Sequence, residues 1–69
     1  MKLTDLSSGD VLVSVDANGA GYYRVEKVCH RMVKVTTEQG HIIRAYPEMF
    51  DRKLSPERVA AIRADGIPI

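Results

Sequence analysis

Cys29, His30 and His41 are the residues whose types could ligate a metal or form a nucleophile–base pair. Arg24, Lys27, Arg31, Lys34 and Arg44, with Tyr22 beside them, are those that could hold an anion. Zinc takes four ligands at characteristic spacings, and one cysteine with two histidines falls short, so no metal site is expected. A cysteine nucleophile needs an imidazole within hydrogen-bond reach and a third group to orient it. Neighbouring residues on a strand face apart, which separates Cys29 from His30 and leaves His41, across a sheet, as the candidate base. Gly19 and Gly21 do not open a helical pattern, so they form no phosphate loop. The carboxylates are dispersed and suggest no acid–base dyad. The expectation is a protein without catalytic residues or cofactor, not an enzyme.

The cations are useful only if the chain holds them on a common surface. Val11, Val13 and Val15 alternate with Leu12, Ser14 and Asp16, which predicts a strand over about 10–16. Asn18-Gly19-Ala20-Gly21 predicts a loop, since several of its residues tolerate positive φ. A second strand runs from Tyr22 to about Cys29, but Val28 lies three residues beyond Val25, out of phase for flat β structure. A bulge near Glu26-Lys27 would return Val28 to the inner side. His30-Arg31 predicts a tight turn. Met32–Thr37 and His41–Ala45 predict strands three and four, joined by Glu38-Gln39-Gly40 with glycine in the left-handed position. Alternation puts Arg24, Lys34 and Arg44 on the outer sides of strands two, three and four. If those strands are neighbours, the three cations share one face.

Pro47 cannot donate to a ladder, so strand four must end near Tyr46. A single 3₁₀ turn over Pro47–Phe50 would bring Phe50 or Met49 over the open end of a small barrel, and residues 51–54 would supply a brief fifth strand closing it. Ser55 is a good N-cap, Pro56 suits the first helical position and Glu57 suits the positive end of the dipole. A helix is expected over 56–65, stopped by Gly66. Its apolar stripe, Val59 and Ile62, is narrow, so it is expected to dock on one edge without a core of its own. Ile67-Pro68-Ile69 either folds back or forms a partner-binding end.

Length and composition bound the rest. The 69 residues are 45% hydrophobic and 28% charged, which fits one globular domain over 1–69 with a small core. The single cysteine forms no internal disulfide, which points to a reducing cytoplasm. No run reaches signal-peptide or membrane-spanning length, so no membrane partner is expected. Net charge is +1, yet residues 22–53 hold seven basic against four acidic residues, and residues 1–21 hold one against three. A mildly basic face with an acidic lead-in follows.

Gly9-Asp10-Val11, Tyr23-Arg24-Val25 with Val28, Val33-Lys34-Val35, Gly40, and Ala45-Tyr46-Pro47 through Phe50 together resemble the SH3-like small β-barrels. That group includes KOW modules, Tudor domains and short phage- or plasmid-encoded barrel proteins. The resemblance covers about residues 8–54 and implies a mainly β, five-stranded antiparallel barrel carrying one C-terminal α-helix. Two family activities can be tested on the residues. Plasmid-borne dihydrofolate reductases of this fold use a Val-Gln-Ile-Tyr run before the proline; here it reads Ile43-Arg44-Ala45-Tyr46, so the glutamine is an arginine and reductase activity is not expected. A Tudor-type aromatic cage would draw on Tyr22, Tyr23, Tyr46 and Phe50, but the adjacent tyrosines face apart.

Two binding functions remain. The first is a protein-interaction module, a regulator or inhibitor of phage or plasmid type, using the short exposed sheet edges of such a barrel. The alternative is weak, sequence-tolerant binding of nucleic acid through Arg24, Lys34 and Arg44, with Lys27 and Arg31 adding charge and Tyr22 stacking on a base. The partner is thus a protein or a nucleic acid, and the residues do not specify an oligomeric state.

Overall fold

A computed structural model of the chain describes residues 1–16 and 19–69. The valine alternation forms β1 (Val11–Asp16), which pairs antiparallel with β2 (Gly19–Val28) from Val11 opposite Arg24 to Asp16 opposite Gly19. The expected loop over 18–21 is therefore shorter: Gly19, Ala20 and Gly21 belong to β2, and Asn18 lies outside the described residues. β3 (Val33–Thr37) and β4 (Ile42–Ala45) continue the antiparallel meander. β5 (Arg52–Lys53) returns to the far side of β1, with Leu12 opposite Lys53. Among the described residues the sheet has five strands in the order β4-β3-β2-β1-β5.

The mainly β fold of five antiparallel strands with a C-terminal helix is as expected. The sheet is not closed: no ladder joins β4 to β5 among the described residues, and these two strands are its edges. The β2–β3 register shifts between Val25 and Lys27. This is the irregularity that the three-residue step from Val25 to Val28 demands, and it turns Val28 toward the core. The His30-Arg31 turn is closed by Cys29 N–H donating to Met32 O at 2.8 Å. Gly40 takes φ +86° at the β3–β4 connection, a conformation that strains residues bearing a Cβ.

The 3₁₀ turn is Pro47–Met49, and Phe50 is the side chain it delivers inward, edge-on to Tyr23 with ring centroids 5.3 Å apart. Met49 points to solvent instead. An N-terminal 3₁₀ turn (Leu3–Asp5), which the sequence reading had not anticipated, sets Leu6 into the same core with Leu12, Val25, Val33, Val35 and Ala45.

α1 (Pro56–Ala64) is capped as predicted, with Arg58 N–H donating to Ser55 Oγ at 3.3 Å. Gly66, at φ +89°, follows its end. The helix departs from expectation in its packing. It builds a second core in which Ile62 meets Val11, Val13, Leu54 and Ile69, flanked by Tyr22, Val59 and Ile67. A narrow stripe is sufficient because β1 is buried on both sides and the 67–69 tail folds back to complete the cluster. Arg63 Nε holds that tail by donating to Ile69 O at 2.9 Å. No helix among the described residues is long and apolar enough to cross a membrane.

Candidate functional site

Strand register decides which cations meet. Lys27 on β2 lies opposite Lys34 on β3, and Lys34 lies opposite Arg44 on β4. All three project from the face opposite the inward-pointing Val25, Val33, Val35 and Ala45. With strands about 4.8 Å apart, the row spans roughly 10 Å of sheet surface. The bulge admits Lys27 to this row, because the extra residue resets its phase. Arg31, at the tip of the β2–β3 turn, stands at one end.

These four cations, with Cys29, His30 and Met32, line an open depression of about 460 Å³. No acidic side chain among the described residues lines it. The ion pairs among the described residues are Arg24–Glu26 at 2.9 Å and Lys53–Asp10 at 3.7 Å, and neither involves the row. Like charges directly opposite on adjacent strands destabilise a sheet by about 0.2–1 kcal/mol per pair. The row therefore stores an electrostatic cost that a bound anion would relieve.

Arg24 shares the face but not the row. It lies opposite Thr36, and its Nε donates to Glu26 Oε1 at 2.9 Å. The same carboxylate oxygen accepts from Thr36 Oγ1 at 2.6 Å. The Thr36 hydrogen bond, and next the Arg24 hydrogen bond, hold the Glu26 carboxyl below its ordinary range. Arg24 is thus engaged with Glu26 where it stands. Tyr22 is also displaced from its expected role. It lies opposite Val13 and packs half-buried against the α1 core, so its ring is not an open platform.

Of the six residues expected at the site, the fold gathers Lys27, Arg31, Lys34 and Arg44, ties Arg24 to Glu26, and assigns Tyr22 to the helix side. Sequence reading passed over Tyr46 as a contact residue. It stands 53% exposed two residues beyond Arg44 on the same outward phase, and Ile42, 66% exposed, stands two residues before. The i, i+2, i+4 spacing of Ile42, Arg44 and Tyr46 was the available signal.

Cys29 and His30 lie at the lip of the depression, while His41 is exposed at the opposite end of β4. Among the described residues no three His, Cys, Asp or Glu side chains gather as a metal-binding group. A second depression, of about 510 Å³, separates α1 from Gly9-Asp10 and β5. Its charges are internally occupied: Lys53 pairs with Asp10 and donates to Asp5 O, and Arg63 holds the tail. The unpaired cations at the β2–β4 end are thus the surface best suited to binding.

Compared with protein-family models, curated proteins and solved structures, the chain finds no match.

Proposed function

We propose that this chain is a non-enzymatic binding module that grips the phosphate backbone of nucleic acid, weakly and without sequence preference. The observation that carries the reading is the Lys27–Lys34–Arg44 row, with Arg31 at its end and no acidic lining among the described residues. A wide, open cationic strip suits a repeating anion better than a compact one. In fold terms, we read the molecule as an SH3-like barrel open at the seam between β4 and β5. The strand order, the β2 bulge and the 3₁₀ turn before β5 support that reading.

The test is titration of a labelled oligonucleotide at increasing salt. Each neutralised phosphate on a single strand contributes a slope of about 0.7 in log affinity against log salt. Three or four engaged cations then give a slope of about −2 to −3. Joint replacement of Lys34 and Arg44 by alanine is expected to flatten it. Absence of binding at low salt with protein in large excess removes the reading.

One observation favours a second reading, a protein-interaction regulator. β4 is an unpaired edge, with Ile42 and Ile43 exposed along it. Such an edge can accept a strand from a partner, through backbone hydrogen bonds that tolerate high salt. A protein partner whose binding withstands salt and is lost with Ile42→Pro, which removes an N–H that faces away from β3, would select this alternative.

A further inference from the structure

We infer that Tyr46 is a stacking platform for an unpaired base, which makes the ligand of this face single-stranded nucleic acid and not duplex. The inference rests on the phosphate-binding reading of the cation row and extends it from charge to strand type.

The molecule has four aromatic rings, and three are occupied. Tyr23 and Phe50 pack edge-to-face in the inner core, and Tyr22 leans on the α1 cluster. Tyr46, 53% exposed, is the ring left to solvent. Ala45 is buried and lies opposite Val33, so Tyr46 and Arg44 project outward on the same phase of the chain. Continuing the register by one place sets Met32, which lines the depression, opposite Tyr46. The ring therefore stands at the border of the cationic strip, about 7 Å along the chain from Arg44. One nucleotide can reach from its phosphate on Arg44 to its base on Tyr46.

The backbone beneath the ring is held in place. Pro47 follows and restricts Tyr46 to extended geometry, found at φ −85° and ψ 144°. Pro47 itself is buried, and Met49 N–H donates to Tyr46 O at 3.0 Å. Little main-chain freedom remains to be lost on binding, a condition that favours affinity. A flat ring beside fixed cations matches the combination used for sequence-tolerant capture of single strands: cations track the backbone and an aromatic takes a base. Bases inside a duplex are already stacked and offer the ring no open face.

The experiment compares wild type, Tyr46→Phe, Tyr46→Leu and Lys34→Glu, each confirmed folded by circular dichroism. The probes are an oligothymidylate, the same length of sugar–phosphate chain without bases, a duplex, and polyglutamate. Tyr46→Phe should retain affinity for oligothymidylate, and Tyr46→Leu should lose on the order of 10-fold with an unchanged salt slope. The base-free chain should bind wild type and Tyr46→Leu equally, and Lys34→Glu should weaken every nucleic-acid probe. Equal binding of oligothymidylate by Tyr46→Leu and wild type overturns the stacking role while leaving the phosphate reading intact. Duplex bound as tightly as single strand overturns it too, as does polyglutamate bound as tightly and weakened equally by Tyr46→Leu. Failure of wild type to bind any probe at low salt instead removes the phosphate reading, and the inference with it.

Discussion

The outer face of this sheet has two ends with opposite fates. At the β1 end, Val11 and Val13 are covered by Ile62 of α1, by Leu54 and by the returning Ile69. At the β3–β4 end the same outward phase carries Lys34 and Arg44, and no element among the described residues lies over them. Both ends follow the same two-residue alternation, so alternation alone does not distinguish a packing surface from a binding surface. The difference lies in what residues 54–69 can reach. A helix that starts directly after β5 falls back onto β1, the neighbour of β5, and its nine residues end there. With α1 and the tail engaged there, no element among the described residues lies over Lys34 and Arg44.

Substitutions at each end can break or sharpen this contrast. The largest effect is expected at the covered end, where Ile62→Ala removes the helix's central contact and should cost about 2–5 kcal/mol in denaturant unfolding. A loss below about 0.5 kcal/mol, the range of ordinary surface changes, would mean that α1 is not a working part of the core. Next, Ser55→Ala deletes the N-cap of the same helix and should cost about 1 kcal/mol by the same measurement. An unchanged midpoint would show that tertiary packing alone holds the helix start.

The bare end should respond in the opposite direction. Lys34→Glu converts two like-charge neighbours into opposite-charge pairs and should raise stability by a few tenths to about 1 kcal/mol at low salt while weakening anion binding. Destabilisation there would show that Lys34 carries packing as well as charge. The smallest effect concerns Glu26 at the boundary. Its carboxyl is held below the ordinary value of 4.5 by Thr36 and Arg24, so that contribution to stability is present above the unfolded value and fades as pH falls through the lower folded one. Carboxyl NMR should therefore show Glu26 titrating below its ordinary value, and Thr36→Val should move its midpoint upward. A Glu26 midpoint at or above the ordinary value would undo the account of why Arg24 stands apart from the row.

Much of this was legible in the residues. The valine phases marked β1, β2 and β3, the odd spacing of Val25 and Val28 marked the bulge, and Ser55-Pro56 with Gly66 marked both ends of α1. Those signals are local, because dihedral preference and side-chain phase act over a few residues. The site was legible only in part. Arg24, Lys34 and Arg44 could be assigned to one face by phase, but their rows depend on pairing between strands. Register put Arg24 opposite Thr36 and Lys27 opposite Lys34, which exchanged their importance. Tyr22 was expected to be open because nothing in its neighbourhood indicates that α1 and the tail pack against it.

What the chain specifies by itself is thus the set of strands, their turns, the bulge and the capped helix, since each follows from preferences that a short segment carries alone. Tertiary structure decided which outward residues were covered and which cations became neighbours. Those outcomes depend on contacts between segments: β5 and α1 with β1, far apart in sequence, and the register of β3 against β2 and β4. Lys27 shares its own strand with Arg24 and Glu26 and joins the cationic row only when β3 and β4 are laid beside it.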